Sequence, residues 1–498
     1  MRSQRLLAAC LLPAFALAPL AQDEESASPA QDDIAITHHS VGEGAGELAY
    51  TAHAGRMQLS TEDGDARAHI FHVAYLLDGV EDQAERPVTF CYNGGPGSSS
   101  VWLHMGTFGP RRVLMDPEGR PLPPPAEVVA NEFGLLAFTD LVFIDPPSTG
   151  YSRAAEDVSP SNFHGLYEDV EVVSEFIRLW LVRNGRWDSP KFLAGESYGT
   201  TRSAELSGRL QQHHGIYLNG IVLVSAILNF QTARFDTGND LPYPLFLPTY
   251  AATAWFHGQL DAERFPELRP LLDEVEAFAV GEYASALMLG DGLGEAERDA
   301  VVRKLADYTG LSQDYVRSCN LRPVIGRFVK ELRREERLTV GRLDSRFVGR
   351  DLDSSRERYE FDPSMAAIQG PYTAGMNDYV RNELGYESDL PYEILTGRVH
   401  PWSYERHQNR YVNVAETLRG AMTRNAALHV FVANGYYDLA TPYFATEYTF
   451  GHMGLDEEMH GRVSMGWYES GHMMYIREAD LVQLHDDLAR FYANALDR

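Results

Sequence analysis

Apolar residues fall along this chain in two textures. Residues 87–92, 141–144, 191–194 and 221–224 are short runs that are almost wholly apolar, the pattern of strands covered on both faces. Between the second and third, residues 162–184 place Val170, Val173, Ile177, Trp180 and Leu181 on one stripe at helical spacing. After the third, residues 200–213 carry Ala204, Leu206 and Leu210 at similar spacing. Strand, helix, strand, helix, strand is the alternation of an α/β sheet. Ahead of it, alternating pieces between Leu48 and Val80, such as residues 69–75, predict an antiparallel start to that sheet.

From Phe235 the texture changes. Residues 271–288, 295–307 and 311–317, with an arginine-rich stretch at 327–346, read as helical pieces, and strand signals almost vanish. The apolar-strand pattern returns at 429–433 and 462–465, and a closing helix is predicted over 478–496. The reading is therefore an α/β core over 41–234 and 411–498, interrupted by a helical cap or lid at 235–410. The arginine-rich stretch also holds Glu331, Glu335 and Glu336, so it reads as a solvated helix face, with an anion site as the alternative.

The N-terminus changes the picture of where the chain resides. Arg2 and Arg5 precede an apolar stretch from Leu6 to Ala21, and Asp23, Glu24 and Glu25 follow. This is the layout of a secretory signal peptide over 1–21, with cleavage expected near Ala18 or Ala21. Cys10 lies too early for lipid attachment, because the apolar run continues past it. Residues 22–40 are small and polar, the expected flexible tail. No later stretch reaches the ~18 apolar residues of a membrane span. Export to the periplasm or the extracellular space is the expectation, with no integral membrane segment after leader removal. Cys91 and Cys319 then remain, as one disulfide or as buried thiols. The net charge of −28 argues against nucleic acid and anionic membranes as partners.

The chemistry gathers on Gly195-Glu196-Ser197-Tyr198-Gly199. A strand turning into a helix through Gly-x-Ser-x-Gly is a nucleophile elbow. A free serine is a poor nucleophile and needs a base and an oxyanion site. The apolar run at 87–92 leads into Asn93-Gly94-Gly95-Pro96-Gly97, which is either a tight turn or a loop whose bare N–H groups receive a developing negative charge. In such sheets the order is Ser, then acid, then His, which excludes Asp140 and Asp145. Asp438 stands just past the strand at 429–433, and His472 follows a later strand in Ser470-Gly471-His472. Ser197, Asp438 and His472 are thus the candidate triad, and the N–H groups of Gly95 and Tyr198 the candidate oxyanion donors. No cofactor motif is present: there is no Gly-x-x-x-x-Gly-Lys, no His-Glu-x-x-His and no Cys-x-x-Cys, and His38-His39 and His213-His214 lack partners at metal spacing.

Asn93 to Ser99, Asp145 to Ser152, Gly195 to Gly199, Asp438 to Pro442 and Gly471 to Met473 together resemble the serine carboxypeptidase family, most closely its bacterial members. The resemblance implies an α/β-hydrolase fold with a helical cap. It also implies removal of C-terminal residues from peptides with a free C-terminus, often at acidic pH. It assigns the substrate's carboxylate to Asn93, Gly94 and Glu196. An esterase or acyltransferase on the same scaffold, or a non-catalytic peptide-binding protein, is the alternative. Eukaryotic members carry a second glutamate in the helix after the Gly-rich loop, where this chain has Thr107; Ser98 and Tyr92 also replace their cysteine and tryptophan. A lone carboxyl makes a weaker acid-dependent clamp. Activity of the wild type is therefore expected to rise less steeply below about pH 6 than that of Thr107→Glu; equal slopes in the two pH profiles would overturn this.

Overall fold

The computed structural model describes residues 32–496, so the expected leader at 1–21 lies outside the described residues. Nine strands form a continuous sheet: β1 (Asp33–Val41), β2 (Leu48–Ser60), β3 (Ala66–Leu77), β4 (Val88–Tyr92), β5 (Asp140–Ile144), β6 (Lys191–Glu196), β7 (Gly220–Val224), β8 (His429–Gly435) and β9 (Val463–Tyr468). Their spatial order is β1-β2-β3-β5-β4-β6-β7-β8-β9, and the two-residue strand Arg153–Ala154 pairs with β3. The first three strands form an antiparallel meander, and β3 meets β5 antiparallel. From β5 to β9 every pairing is parallel.

The apolar runs form these strands because both of their faces are covered. Along β5, Leu141 and Phe143 enter one buried cluster while Val142 and Ile144 enter the cluster on the opposite face. Along β4, Cys91 goes to the first and Phe90 and Tyr92 to the second. Helices α1 (Leu166–Arg183) and α2 (Tyr198–His214) cover that second face. Trp180 of α1 meets Phe90 edge-on, with centroids 5.5 Å apart. Each large side chain buried this way contributes about 1.5–3 kcal/mol.

The expected tail at 22–40 is corrected from residue 33 onward. β1 pairs residue by residue with β2, from Asp33 opposite Arg56 to Val41 opposite Leu48. An edge strand of this kind draws its stability from the ladder, and Ile36 is 58% exposed, so its own composition signals little. Residues 235–410 include the helices α3 (Pro242–Phe256), α4 (Leu268–Phe278), α5 (Glu295–Thr309) and α6 (Pro363–Asp378). They also hold a small antiparallel pair, Thr339–Val340 with Val348–Gly349. The helix predicted over 271–288 is interrupted by a wide π turn at Ala279–Tyr283, around Gly281. Phe246, Tyr250, Leu271, Val275, Val302 and Leu305 form a cluster within this region, which Leu439 of the core joins. Cys91 and Cys319 are both buried free thiols, which settles the choice left open by the sequence.

At the start of β5, Asp140 is 1% exposed and binds two arginines. Arg86 Nε donates to Oδ1 at 3.0 Å and Arg186 Nη1 to Oδ2 at 2.5 Å, while the Leu77 N–H also donates to Oδ1 at 3.0 Å. The cluster closes the sheet end away from the elbow. Asp140→Ala leaves two buried cations unpaired, and unfolding in urea is expected to show a loss of about 3–5 kcal/mol. A loss below about 1 kcal/mol, the scale of a solvated pair, would contradict it.

Candidate active site

Ser197 stands between β6 and α2 with φ 60° and ψ −128°, a conformation that costs a non-glycine residue about 1–3 kcal/mol. The flanking glycines explain how the turn is tolerated. A Cβ at Gly195 would lie 2.3 Å from the Gly199 carbonyl oxygen, and one at Gly199 would lie 3.0 Å from that of Tyr92. The Ser197 N–H is held by the Val224 carbonyl at 3.0 Å, which locks the elbow to β7.

The Gly-rich loop leaves β4 and packs onto the elbow. A Cβ at Gly94 would lie 2.4 Å from the Tyr198 nitrogen, so only glycine admits this approach. Gly95 has φ 102°. Among the described residues the N–H groups of Gly95 and Tyr198 have no backbone acceptor outside their own elements, and both residues line one cavity with Ser197.

Asp438 and His472 arrive from beyond β8 and β9. His472 Nδ1 donates to Asp438 Oδ2 at 2.7 Å. The carboxylate also accepts from Ala440 N–H at 2.7 Å, Thr441 N–H at 3.0 Å and Thr441 Oγ1 at 2.7 Å, and it is wholly buried. Burial pulls the imidazole down, but the charge and hydrogen bond of Asp438 outweigh it, and the His472 pKa is raised. The loop around His472 is held from two sides. Ser225 Oγ donates to the His472 carbonyl at 2.7 Å. From the other side, the Leu343 carbonyl accepts the His472 N–H at 2.7 Å, and Asp344 Oδ2 accepts the Gly471 N–H at 3.1 Å. Ser197 Oγ makes no hydrogen bond to His472 among the described residues; such contacts are often long before substrate binds.

Glu196 is 2% exposed, and burial pushes its carboxyl up to about 7 against the lowering effects of the His472 charge and the Tyr475 and Asn93 side chains. Tyr475 Oη donates to its Oε2 at 2.6 Å. Residue 107 plays no such part: Thr107 is buried, and its carbonyl accepts from Asn131 Nδ2 at 2.6 Å. Asn93 Oδ1 accepts from the Leu103 N–H at 3.2 Å. Its Nδ2 lies beside Glu196 and, although buried, has no hydrogen bond of normal geometry. Asn93, Gly94, Gly95, Glu196, Ser197, Tyr198 and His472 thus line one cavity of about 890 Å³.

Two supporting residues were not reached as such from the sequence: Arg202 carries no signal, and Asp145 is marked by the resemblance but given no role. Arg202 on α2 binds Asp169 of α1 through Nε at 2.7 Å and Nη2 at 3.2 Å, and donates to the Asn93 carbonyl at 2.6 Å. Asp145 accepts the N–H and Oγ–H of Ser100, both at 2.8 Å, and burial pushes its carboxyl up to about 6. A mid-helix arginine and a loop aspartate look ordinary until the fold brings their partners together. Among the described residues no group of three or more His, Cys, Asp or Glu is arranged to hold a metal ion, and no helix is long and apolar enough to cross a membrane.

Several known proteins are similar to this chain. The pheromone-processing carboxypeptidase KEX1 of Yarrowia lipolytica is 26% identical over 211 residues, 42% of this chain and 31% of that protein. The lysosomal protective protein of Mus musculus is 24% identical over 192 residues, 38% of this chain and 35% of that protein. The chain therefore spans about a third of the length of these curated relatives. The crystal structure of Kex1(delta)p, a prohormone-processing carboxypeptidase from Saccharomyces cerevisiae, superposes with a TM-score of 0.55 at 15% identity, over 89% of this chain and 92% of that one, and shares its fold. The serine carboxypeptidase family model matches residues 46–472, and the chain belongs to that family.

Proposed function

We propose that this chain is an exported serine carboxypeptidase, hydrolysing C-terminal peptide bonds through an acyl-enzyme. The observation that carries the reading is a single cavity holding a serine on a strained elbow, an aspartate-bound imidazole, and a buried amide donor beside a buried carboxyl. Export rests on the leader at 1–21. The helical region at 235–410 acts as the cap over the cavity, to which it contributes Ile325, Arg342, Leu343, Met365 and Ile368.

In this mechanism Ser197 Oγ attacks the scissile carbonyl carbon while His472 Nε2 accepts its proton. The oxyanion forms against the N–H groups of Gly95 and Tyr198. His472 then passes the proton to the leaving amine, and the C–N bond breaks to leave an ester on Ser197. Water, deprotonated by His472, attacks that ester; the C–O bond breaks and Ser197 recovers its proton. Asp438 fixes the imidazole tautomer and stabilises its cationic form. The departing residue is held by its free carboxylate, which takes hydrogen bonds from Asn93 Nδ2, the Gly94 N–H and the protonated Glu196.

Wild-type protein is expected to label with a fluorophosphonate and Ser197→Ala to stay unlabelled, while His472→Ala lowers kcat on a peptide by ~10⁴-fold or more. A wild type inert to the probe would sink the assignment. Glu196 also sets a pH dependence. Its raised pKa leaves it a neutral donor below about 7 and an anion above, where it repels the substrate carboxylate. KM for free-acid peptides should therefore rise between roughly pH 6 and 8, and Glu196→Gln or C-terminal amidation of the peptide should flatten that rise. The same rise in the Gln variant would show that another group titrates.

A further inference from the structure

Two charges on the cavity wall have no part in the chemistry above. Arg234 and Arg342 both line it, and neither has a carboxylate within ion-pair distance among the described residues. What sets these two apart is their place on the cavity wall. Nearby arginines are paired: Arg346 with Asp344 at 2.6 Å and Arg322 with Asp240 at 2.6 Å. Among the lining residues Glu196 is the sole carboxyl, and it is buried against Tyr475.

The two arginines reach the cavity from different parts of the chain. Arg342 precedes Leu343, whose carbonyl holds the His472 N–H, and its charge is felt at the imidazole. Its wall also includes Met365, Ile368 and Trp102, and the Trp102 ring packs on Tyr372 at 5.2 Å, beside Glu196. That is the side on which the departing residue's carboxylate is read to bind. Arg234 lies over the Phe230 ring at 5.7 Å, on the wall formed with Tyr404, Trp402 and Tyr198. Tyr198 supplies an oxyanion N–H, so this wall faces the acyl residue.

We propose that Arg342 and Arg234 select peptides with carboxylate side chains, Asp or Glu, in the last two positions, Arg342 reading the departing residue and Arg234 the one acylated on Ser197. The assignment of positions rests on the carboxypeptidase reading; the acidic preference rests on the two open guanidiniums. A guanidinium fork matches a carboxylate in a bidentate way, and an apolar or amide side chain leaves its donors unmet. In a protein of this net charge, the acidic substrate is repelled at long range and captured only where these cations face it.

The test uses Ser197→Ala protein, which binds without turnover, and matched peptides with Glu or Gln at the last or penultimate position, each as free acid and C-terminal amide. Glu is expected to bind about tenfold more tightly than Gln at each position. Adding Arg342→Gln should abolish that ratio at the last position only, and adding Arg234→Gln at the penultimate position only. The ratio is taken within each variant, so a general loss of affinity cancels. Arg342→Glu should reverse the sign and favour Lys. Equal or weaker binding of Glu peptides, or ratios untouched by both Gln variants, would overturn the proposal. It is also overturned if the variants lose only the preference for free acid over amide, since the arginines would then hold the terminal carboxylate. Cleavage of the same peptides by wild type is read separately: binding with the expected ratios but no cleavage refutes the carboxypeptidase reading and leaves the acidic selection standing.

Discussion

Arg202 is fully buried, and its guanidinium joins pieces of chain that are far apart in sequence. It holds Asp169 on one helix and the Asn93 carbonyl at the mouth of the Gly-rich loop, and it lies over the rings of Tyr92 and Tyr198 at 5.2 and 5.4 Å. A cation enters the interior only if every donor is matched, because the cost of desolvating it is several kcal/mol. The matching here fixes where the loop crosses the elbow. Gly94 sits against the Tyr198 nitrogen, and the two candidate oxyanion donors come to one side of Ser197. Without the pair the loop keeps only its other tethers, such as Ser100 to Asp145 and the Leu103 N–H to Asn93 Oδ1.

The same low-polarity interior gives neighbouring acids opposite roles. Asp438 collects hydrogen bonds from Ala440, Thr441 and His472 and so raises the pKa of the imidazole. Glu196, one residue from the nucleophile, is offered few donors, and burial carries it toward neutrality. The contrast follows from donor supply: one carboxyl sits at the start of a turn rich in N–H groups, the other at the end of a strand whose N–H groups are spent in the ladder.

Much of this was legible in the residues. Wholly apolar runs such as 141–144 predicted covered parallel strands, because a strand with both faces buried has no polar alternation to hide it. The candidate triad of Ser197, Asp438 and His472 could be named because elbow, Gly-rich loop and post-strand Asp and His are local signatures. What escaped had no local signature. β1 is an exposed edge that exists through pairing with β2, so its sequence reads as a tail. Tyr475 lies 279 residues from Glu196, and no spacing rule connects them. Thr107, marked by the resemblance as the missing second acid, is occupied with Asn131, and a tyrosine hydroxyl from the far end of the chain stands against Glu196 instead.

The loop bearing His472 is suspended from residues 343–344 as well as from the sheet. Leu343 and Asp344 each take one of its backbone N–H groups, and a Cβ at Gly471 would run into the Leu343 carbonyl at 2.4 Å. Arg342, on the cavity wall, is the residue immediately before. Whatever shifts residues 342–344 to admit a different side chain also shifts His472. Under the proposed reading, selectivity and turnover would be mechanically linked, so exchanging the segment around 342–344 would carry a loss of rate unless the anchor at 343–344 were kept intact.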